Sequence, residues 1–235
     1  MLMMMQAMMG AATVPLASGP AFDPSAFVFT IRVENDGDSF TWPDRGGTYD
    51  ATFDWGDGSS DHVTAAPSAH VYAVAGDYDV AITGTCPAPS PFTPDWVAML
   101  TTIKQWGAML GASNWLGAFD QVSNTLQITA TDVFGSGVVD TSYMFYGVTI
   151  DGDLSNWDVS SVTNMESMFA SSSFDSDISG WDVSSVTNMD WMFVNSTFDG
   201  DISGWCVTLI DSEPTDFAAG GALQSQHYPV WGTCP

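Results

Sequence analysis

Residues 157–180 read Trp-Asp-Val-Ser-Ser-Val-Thr-Asn-Met-Glu-Ser-Met-Phe-Ala-Ser-Ser-Ser-Phe-Asp-Ser-Asp-Ile-Ser-Gly, and residues 181–204 repeat this stretch with 18 identities in 24 positions. A weaker copy precedes them, because Val138, Phe145 and Leu154 fall 24 residues before residues of the same kind. A unit this short cannot bury its own apolar side chains, so successive units must stack on a shared core. The stretch therefore predicts a short solenoid with 24-residue turns.

The repeated positions also predict the interior of each turn. We expect a valine ladder, a Met-Phe ladder and a Leu/Ile ladder, the last formed by Leu154, Ile178 and Ile202. The segment Asp-Ile-Ser-Gly-Trp-Asp-Val is interpreted as the strand of each turn. The segment Asn-Met-x-x-Met-Phe is interpreted as a short helical turn that Asn164 and Asn188 cap.

The repeat resembles the BspA-like leucine-rich repeat, whose signature W-D-V-S-S-V-T-N-M-x-x-M-F is almost unbroken here. The segment 100–107 resembles the entry segment of that family, and 229–235 resembles its closing cap. The resemblance therefore covers 100–235. It implies a leucine-rich-type solenoid of the kind found in surface proteins of mycoplasmas, oral bacteria and marine phages.

The first half of the chain predicts a small β-sandwich. Short alternating runs such as 27–33 and 49–55 are separated by turn formers, which is typical of immunoglobulin-like domains. Phe53-Asp54-Trp55-Gly56-Asp57-Gly58-Ser59, followed by His70-Val71-Tyr72 and Gly76-Asp77-Tyr78-Asp79-Val80, resembles the PKD family of such domains. We expect a mainly β chain with a PKD-like sandwich at 27–86, a linker at 87–99 and the solenoid at 100–235.

The junction of the two halves allows two interpretations. Trp96, Met99, Leu100 and Ile103 have helical spacing, and Pro94 suits the first helical position. The family comparison instead favours an extended strand over Leu100–Gln105. We adopt the strand.

The charge balance excludes one class of function. The chain has 28 acidic and three basic residues and a formal net charge of −25. Binding to phosphate backbones depends on Lys and Arg, so we exclude nucleic-acid binding. The acidic surface also disfavours anionic membranes, and no apolar run is long enough to span one. It is compatible with calcium, either bound at defined sites or as a diffuse counterion.

Two groups of aspartates are candidate calcium ligands. Asp54, Asp57 and Asp61 surround a tight turn, and oxygen-rich loops suit calcium. The other interpretation is that these carboxylates accept hydrogen bonds from backbone amides of the turn. The same two interpretations apply to the column formed by Asp153, Asp177 and Asp201. Neither a nucleophile–histidine–acid set nor a phosphate-binding loop is recognisable, so we expect no enzyme activity.

The chain ends and cysteines carry two further expectations. Cys206 and Cys234 could form a disulfide that fixes the C-terminal segment, whereas Cys86 has no partner. The Met-rich residues 1–26 lack the basic region of a signal peptide. We interpret them as an apolar anchor that docks onto another protein, because methionine adapts to irregular grooves.

These features favour a non-enzymatic protein on a phage virion, such as a head decoration, a spike or a tail-associated fibre. In this hypothesis the N-terminus binds other virion proteins in a larger assembly or homo-oligomer, and the solenoid presents a surface to a host glycan or receptor. A secreted bacterial surface adhesin is the second hypothesis. A glycan-active enzyme on a repeat scaffold is the third.

Overall fold

The structure is a computed structural model that describes residues 22–90, 93–108, 112–135 and 137–235. Most of the expected N-terminal anchor, residues 1–21, lies outside the described residues. The elements, in chain order, are β1 (Phe27–Val33), β2 (Ser39–Phe40), β3 (Asp50–Asp54), β4 (Ser60–Val63), β5 (His70–Val71), β6 (Gly76–Thr85), α1 (Pro94–Met99), β7 (Leu100–Gln105), β8 (Leu126–Ile128), β9 (Ile150–Gly152) and a 3-10 turn (Ser225–His227).

One seven-stranded sheet runs through the protein in the order β4-β3-β6-β1-β7-β8-β9. Pairing is antiparallel from β4 to β7 and parallel from β7 to β9. The chain is mainly β, as expected, and its first half is consistent with an immunoglobulin-like sandwich. The second layer is the pair β2–β5, from which Phe40 packs on Phe29 of β1 with ring centroids 6.0 Å apart.

Strand β1 has the alternation that its sequence predicts. Phe27, Phe29, Ile31 and Val33 enter the core, while the side chains between them lie on the outer face of the sheet. On that outer face, Val28 is buried with Ala26 and Ala81, and Thr30 donates to Asp79 on β6 at 2.7 Å. A strand with this pattern has one register that places its large apolar side chains in the core.

The junction segment realises both interpretations of its sequence. Helix α1 ends at Met99 and strand β7 begins at Leu100, so the predicted strand over Leu100–Gln105 is confirmed. Trp96 of the helix is fully buried, and its indole N–H donates to the carbonyl of Ala118 at 2.6 Å. The predicted linker 87–99 is therefore not a free connection, since it carries a helix that packs into the core.

The repeats contact one another at equivalent positions. We number them repeat 1 (107–132), repeat 2 (133–156), repeat 3 (157–180) and repeat 4 (181–204). Parallel bridges join Asn114 to Asp140, Asp140 to Asn164 and Asn164 to Asn188. Beyond the last bridge, the amides of Met165, Ser167, Phe169 and Ser171 donate to carbonyls of repeat 4 at 2.7–3.0 Å. Each described repeat therefore pairs with the next through its backbone.

The expected strand at Asp-Ile-Ser-Gly-Trp-Asp-Val is wrong. At 177–183 this segment contains a turn in which Trp181 N–H donates to the Ile178 carbonyl at 3.1 Å. Ser-Gly favours a turn, and Asp177 stabilises it by accepting the amide of Ser179 at 2.9 Å. The backbone pairing lies instead at the Asn-Met segment.

The expected helical turn at Asn-Met-x-x-Met-Phe is also modified. Met168 and Ala170 donate to carbonyls three residues earlier, but Ser167 and Ser171 have φ of 52° and 56° and donate to repeat 4. A residue in the left-handed region cannot continue a right-handed helix. The side chain of Asn164 does cap the segment, since it accepts the amide of Glu166 at 3.1 Å.

Columns of identical side chains fill the interior of the repeats. The indoles of Trp157, Trp181 and Trp205 stack with centroids 6.1 and 6.4 Å apart. Phe169 stacks in the same way between Phe145 and Phe193, at 5.8 Å from each. The predicted valine, Met-Phe and Leu/Ile ladders are fully buried. One hydrophobic cluster extends from Phe27 to Leu223, so both halves of the chain share a core.

Candidate functional site

The aspartate-rich turn between β3 and β4 is the first candidate site. The amide of Trp55 donates to the carbonyl of Ser59 at 3.1 Å and closes the loop. Gly56 has φ of 79°, and a Cβ there would lie 2.5 Å from the carbonyl oxygen of Asp79. Only glycine fits this position, which explains the Gly in the Trp-Gly-Asp-Gly sequence.

The three candidate carboxylates of this turn accept hydrogen bonds from different donors. Asp54 accepts the amide of Gly56 at 3.0 Å. Asp57 accepts the amide of Ser59 at 2.9 Å and its hydroxyl at 2.6 Å. Asp61 accepts the indole N–H of Trp55 at 2.8 Å. The interpretation of turn-stabilising aspartates therefore matches the geometry.

His70 completes this network. Its Nε2 lies 2.9 Å from the second oxygen of Asp57, and its ring stacks on Trp55 with centroids 4.8 Å apart. Tyr72 donates its hydroxyl to the Trp55 carbonyl at 3.0 Å. Burial raises the pKa of Asp57, but the hydrogen bonds from Ser59 and His70 together outweigh it and hold that pKa below its ordinary value. His70 thus stabilises the turn through Asp57 and Trp55.

The same hydrogen bonds determine how available these carboxylates are to calcium. No group of three or more His, Cys, Asp or Glu side chains in the described ranges is arranged to hold a metal ion. Asp54, Asp57 and Asp61 could bind calcium only by exchanging their present donors. Calcium at these residues stays a prediction.

The aspartate column of the repeats stabilises turns. Asp153, Asp177 and Asp201 accept the amides of Ser155, Ser179 and Ser203 at 2.8–2.9 Å. These hydrogen bonds lower the pKa of each carboxyl. The geometry matches the interpretation that these carboxylates accept hydrogen bonds from backbone amides, and the calcium ladder stays a prediction.

A short motif that the sequence interpretation missed unites these sites. In every Asp-x-Ser triplet of the chain, the aspartate accepts the amide of the serine two residues later. The eight aspartates are Asp23, Asp57, Asp140, Asp153, Asp158, Asp177, Asp182 and Asp201. The shorter side chain of aspartate reaches this amide, which gives a physical reason for aspartate rather than glutamate in these turns. The recurrence of the Asp-x-Ser triplet is the sequence signal from which this motif could have been predicted.

The C-terminal segment closes the last repeat. Cys206 and Cys234 form a disulfide between positions 28 residues apart. Beside it, Val207 N–H donates to the Thr233 carbonyl at 2.8 Å, and Trp231 packs edge-on against Phe217. Cys86 is a free buried thiol whose pKa burial raises to about 12. The disulfide therefore fixes the end of the repeat array.

Comparisons with known proteins agree with this two-part organisation. Residues 12–90 match the PKD domain, a range that contains the predicted sandwich. Residues 114–231 match the family described as Mycoplasma protein of unknown function, DUF285. Neither the curated proteins nor the solved structures yield a match. Among the described residues, no helix has the length and apolarity to cross a lipid bilayer. With half of its length matched, the chain belongs to the DUF285 family and carries a PKD domain ahead of that region.

Proposed function

We propose that the DUF285 region forms a BspA-like, leucine-rich-type solenoid of 24-residue turns. The parallel bridges between equivalent asparagine and aspartate positions support this proposal. The stacked Trp and Phe columns support it as well, because they repeat with the same period as the sequence.

We propose further that the protein is a non-enzymatic virion surface protein that displays this repeat surface to a host glycan or receptor. The observation that carries the proposal is the continuity of the two halves. Strand β7 pairs with β1 of the PKD region on one side and with β8 of the repeats on the other. A shared sheet and core hold the repeats at a fixed orientation, as a display element requires.

The placement of ionisable groups supports a role without catalysis. Asp120 has its pKa raised to about 6 by burial, although a hydrogen bond from Gln121 lowers it. Perturbed carboxyls of this kind are candidate general acids. Asp120, however, is only 4 % exposed, and a general acid must reach its substrate.

The basic residues support the exclusion of nucleic acid. Arg32 pairs with Asp77 at 2.9 Å, and Lys104 pairs with Asp79 at 2.6 Å. Arg45 donates to the Pro89 carbonyl at 2.8 Å. The three cations of the chain are thus bound by its own acceptors. The proposed partners are other virion proteins, through residues 1–26 and within a larger assembly, and a receptor on the host.

The disulfide favours a second candidate, a secreted bacterial surface adhesin. Disulfides persist in oxidising surroundings such as the cell exterior. The Cys206–Cys234 bond suits that environment, and the display function is the same.

Mass spectrometry of purified particles and of cell fractions separates the two candidates. Because the chain has only three Lys and Arg residues, Asp-N is the suitable protease. The virion proposal expects stoichiometric peptides in particles, including those from residues 1–21. A protein confined to the envelope or secreted fraction, trimmed within its first thirty residues, would instead establish the adhesin.

A further inference from the structure

Repeats 3 and 4 differ mainly around one shared Met-Phe pair. Six of the 24 positions differ, and four of these six flank the shared Met-Phe pair. The buried Trp, Val, Met, Phe and Ile columns are identical in both. We define the variable face as the exposed and partly exposed residues at these positions in repeats 2, 3 and 4: Tyr143, Tyr146, Gly147, Glu166, Ser171, Asp190, Trp191, Val194 and Asn195. The residues at the remaining positions, Ser142, Ser167 and Ala170, are buried. The stacking of repeats requires particular residues in the buried columns, whereas it does not determine which residues occupy the variable face.

The variable face carries aromatic side chains that the core does not use. Tyr143, Tyr146 and Trp191 are half-buried and belong to neither hydrophobic cluster of the described residues. The rings of Tyr143 and Tyr146 lie 6.1 Å apart. Partly exposed Tyr and Trp are enriched at protein interfaces, where they contribute most of the binding energy.

The backbone gives no reason for aromatic residues at two of these positions. Tyr143 and Trp191 both have φ of 56°, in the left-handed region that bulky residues rarely adopt. The equivalent residues of repeats 1 and 3 are Gly117 and Ser167, with φ of 62° and 52°. Smaller residues thus satisfy the same backbone, and the rings at Tyr143 and Trp191 carry a conformational cost that suits a functional position.

The charge on the variable face indicates the kind of partner. Glu166 accepts the hydroxyl of Tyr143 at 2.8 Å and the side-chain amide of Asn188 at 3.1 Å, which fixes its carboxylate beside the rings. Asp190 occupies the equivalent position in repeat 4. The three cations of the chain are bound elsewhere by their own acceptors. Fixed carboxylates beside aromatic rings are complementary to an arginine or lysine side chain, which can pair with one and stack on the other.

We propose that the variable face docks a protein partner through arginine or lysine side chains that stack on Tyr143 and Trp191 and pair with Glu166 and Asp190. The proposal rests on the display function above and assigns the surface and the partner chemistry. A protein is favoured over a glycan because the face is acidic and because its Tyr, Trp, Ser, Gly and Asn composition is typical of protein-binding loops.

The test uses the full chain with indole-labelled tryptophan and follows the Trp191 indole resonance by NMR. The probes are tri-arginine amide, the uncharged tri-citrulline amide and chito-oligosaccharide. The key variant is Trp191→Ser, which places the repeat 3 residue in repeat 4 and leaves the net charge at −25. Val74→Ser, at an exposed apolar position of the PKD region, is the matched control.

We expect tri-arginine amide to shift the Trp191 resonance in a saturable manner that weakens with salt. We expect its affinity to fall at least fivefold in Trp191→Ser and in Glu166→Gln, and to be unchanged in Val74→Ser. Equal binding to the wild type and to Trp191→Ser would overturn the proposal, because it would indicate general attraction to an acidic protein. A response to chito-oligosaccharide or tri-citrulline amide that equals the response to tri-arginine amide would overturn it too. Either result would overturn only this docking surface, because mass spectrometry of particles and cell fractions tests the location of the protein separately.

Discussion

The indole nitrogen of Trp205 donates a hydrogen bond to the carbonyl oxygen of Ile178, 27 residues earlier in the chain, at 3.0 Å. Trp181 makes the same bond one repeat earlier, to Leu154 at 2.9 Å. Each tryptophan therefore packs in the shared core and donates to a buried backbone acceptor 27 residues before it. This double role explains why the Trp position is invariant between repeats 3 and 4.

Removal of this hydrogen bond should destabilise the protein even where the aromatic ring is retained. Trp181→Phe removes one of the two hydrogen bonds that the Leu154 carbonyl accepts, while the amide of Trp157 still donates to it at 3.2 Å, so we expect the free energy of unfolding to fall by about 0.5–1.5 kcal/mol. Trp181→Ala adds a cavity and should cost about 3–5 kcal/mol. Urea unfolding followed by circular dichroism measures both. Trp191→Ser is the control and should change stability by less than about 1 kcal/mol. A loss in this control as large as that in Trp181→Ala would contradict the distinction between core and surface tryptophans.

Duplication of a repeat should be tolerated and should stabilise the array. A second copy of 181–204 inserted after Gly204 preserves each stacking contact and adds one interface between repeats. In stacked-repeat proteins, stability is close to the sum of unit and interface terms. We therefore expect a higher midpoint of urea unfolding, with a steeper dependence on urea because more surface is buried. A duplicated chain that is less stable or that unfolds in separate steps would argue against a continuous stack.

Reduction of the disulfide should release the C-terminal cap. Cys206→Ser combined with Cys234→Ser should lower the free energy of unfolding by about 2–4 kcal/mol, because the 28-residue separation is no longer constrained in the unfolded chain. Thermal unfolding with and without reductant measures the effect. The wild type should lose stability on reduction, whereas the double variant should not respond. If reductant still lowered the stability of the double variant, the Cys206–Cys234 disulfide would not be the cause of the effect.

Asp120 should make the folded state more stable at mildly acidic pH. Its pKa is about 6 in the folded protein, against 3.8 for an ordinary aspartate. The folded state therefore binds more protons between these values, and this contribution to stability declines as pH rises from about 4 to about 6. Asp120→Asn removes the buried charge and should stabilise the protein at pH 7 by up to about 3 kcal/mol. Unfolding free energies at pH 4, 5, 6 and 7 should show a smaller decline in the variant, and an unchanged pH profile would contradict this assignment.

The turn aspartates should make the folded state less stable as pH falls below 3.8. Hydrogen bonds from serine lower the pKa of Asp153, Asp177 and Asp201 below the ordinary value of 3.8. Their contribution to stability is complete above pH 3.8 and is lost as pH falls through the folded pKa values. Acid titration of Asp177→Ala and of Asp199→Ala separates this effect from general charge repulsion. We expect Asp177→Ala alone to weaken the dependence of stability on pH below 3.8.

The sequence predicts the parts of this fold that depend on periodicity. The alternation in β1 and the 24-residue columns of Trp, Val and Phe follow from burial alone, and the structure confirms them. The union of the two halves in one sheet could not be predicted. Pairing of β7 with β1 joins residues about 70 positions apart, such as Phe29 and Ile103, and nothing in either strand specifies its partner.

The errors within the repeat have a local cause. Asp177-Ile178-Ser179 has the apolar centre of a strand, but its side-chain hydrogen bond competes with sheet pairing and turns the chain. Asp120 shows a property that the sequence alone does not reveal. It is an ordinary polar residue in sequence, and only the packing around it makes it a buried carboxyl with a raised pKa.

Competition for host attachment tests the central claim most directly. Host cells are incubated with the purified full chain before particles that carry the protein are added, and the fraction of adsorbed particles is measured. We predict that the wild-type protein reduces adsorption in a saturable manner and that Trp191→Ser does so at least fivefold less effectively. Adsorption that stays unchanged at saturating wild-type protein would contradict the proposal that this repeat surface mediates attachment.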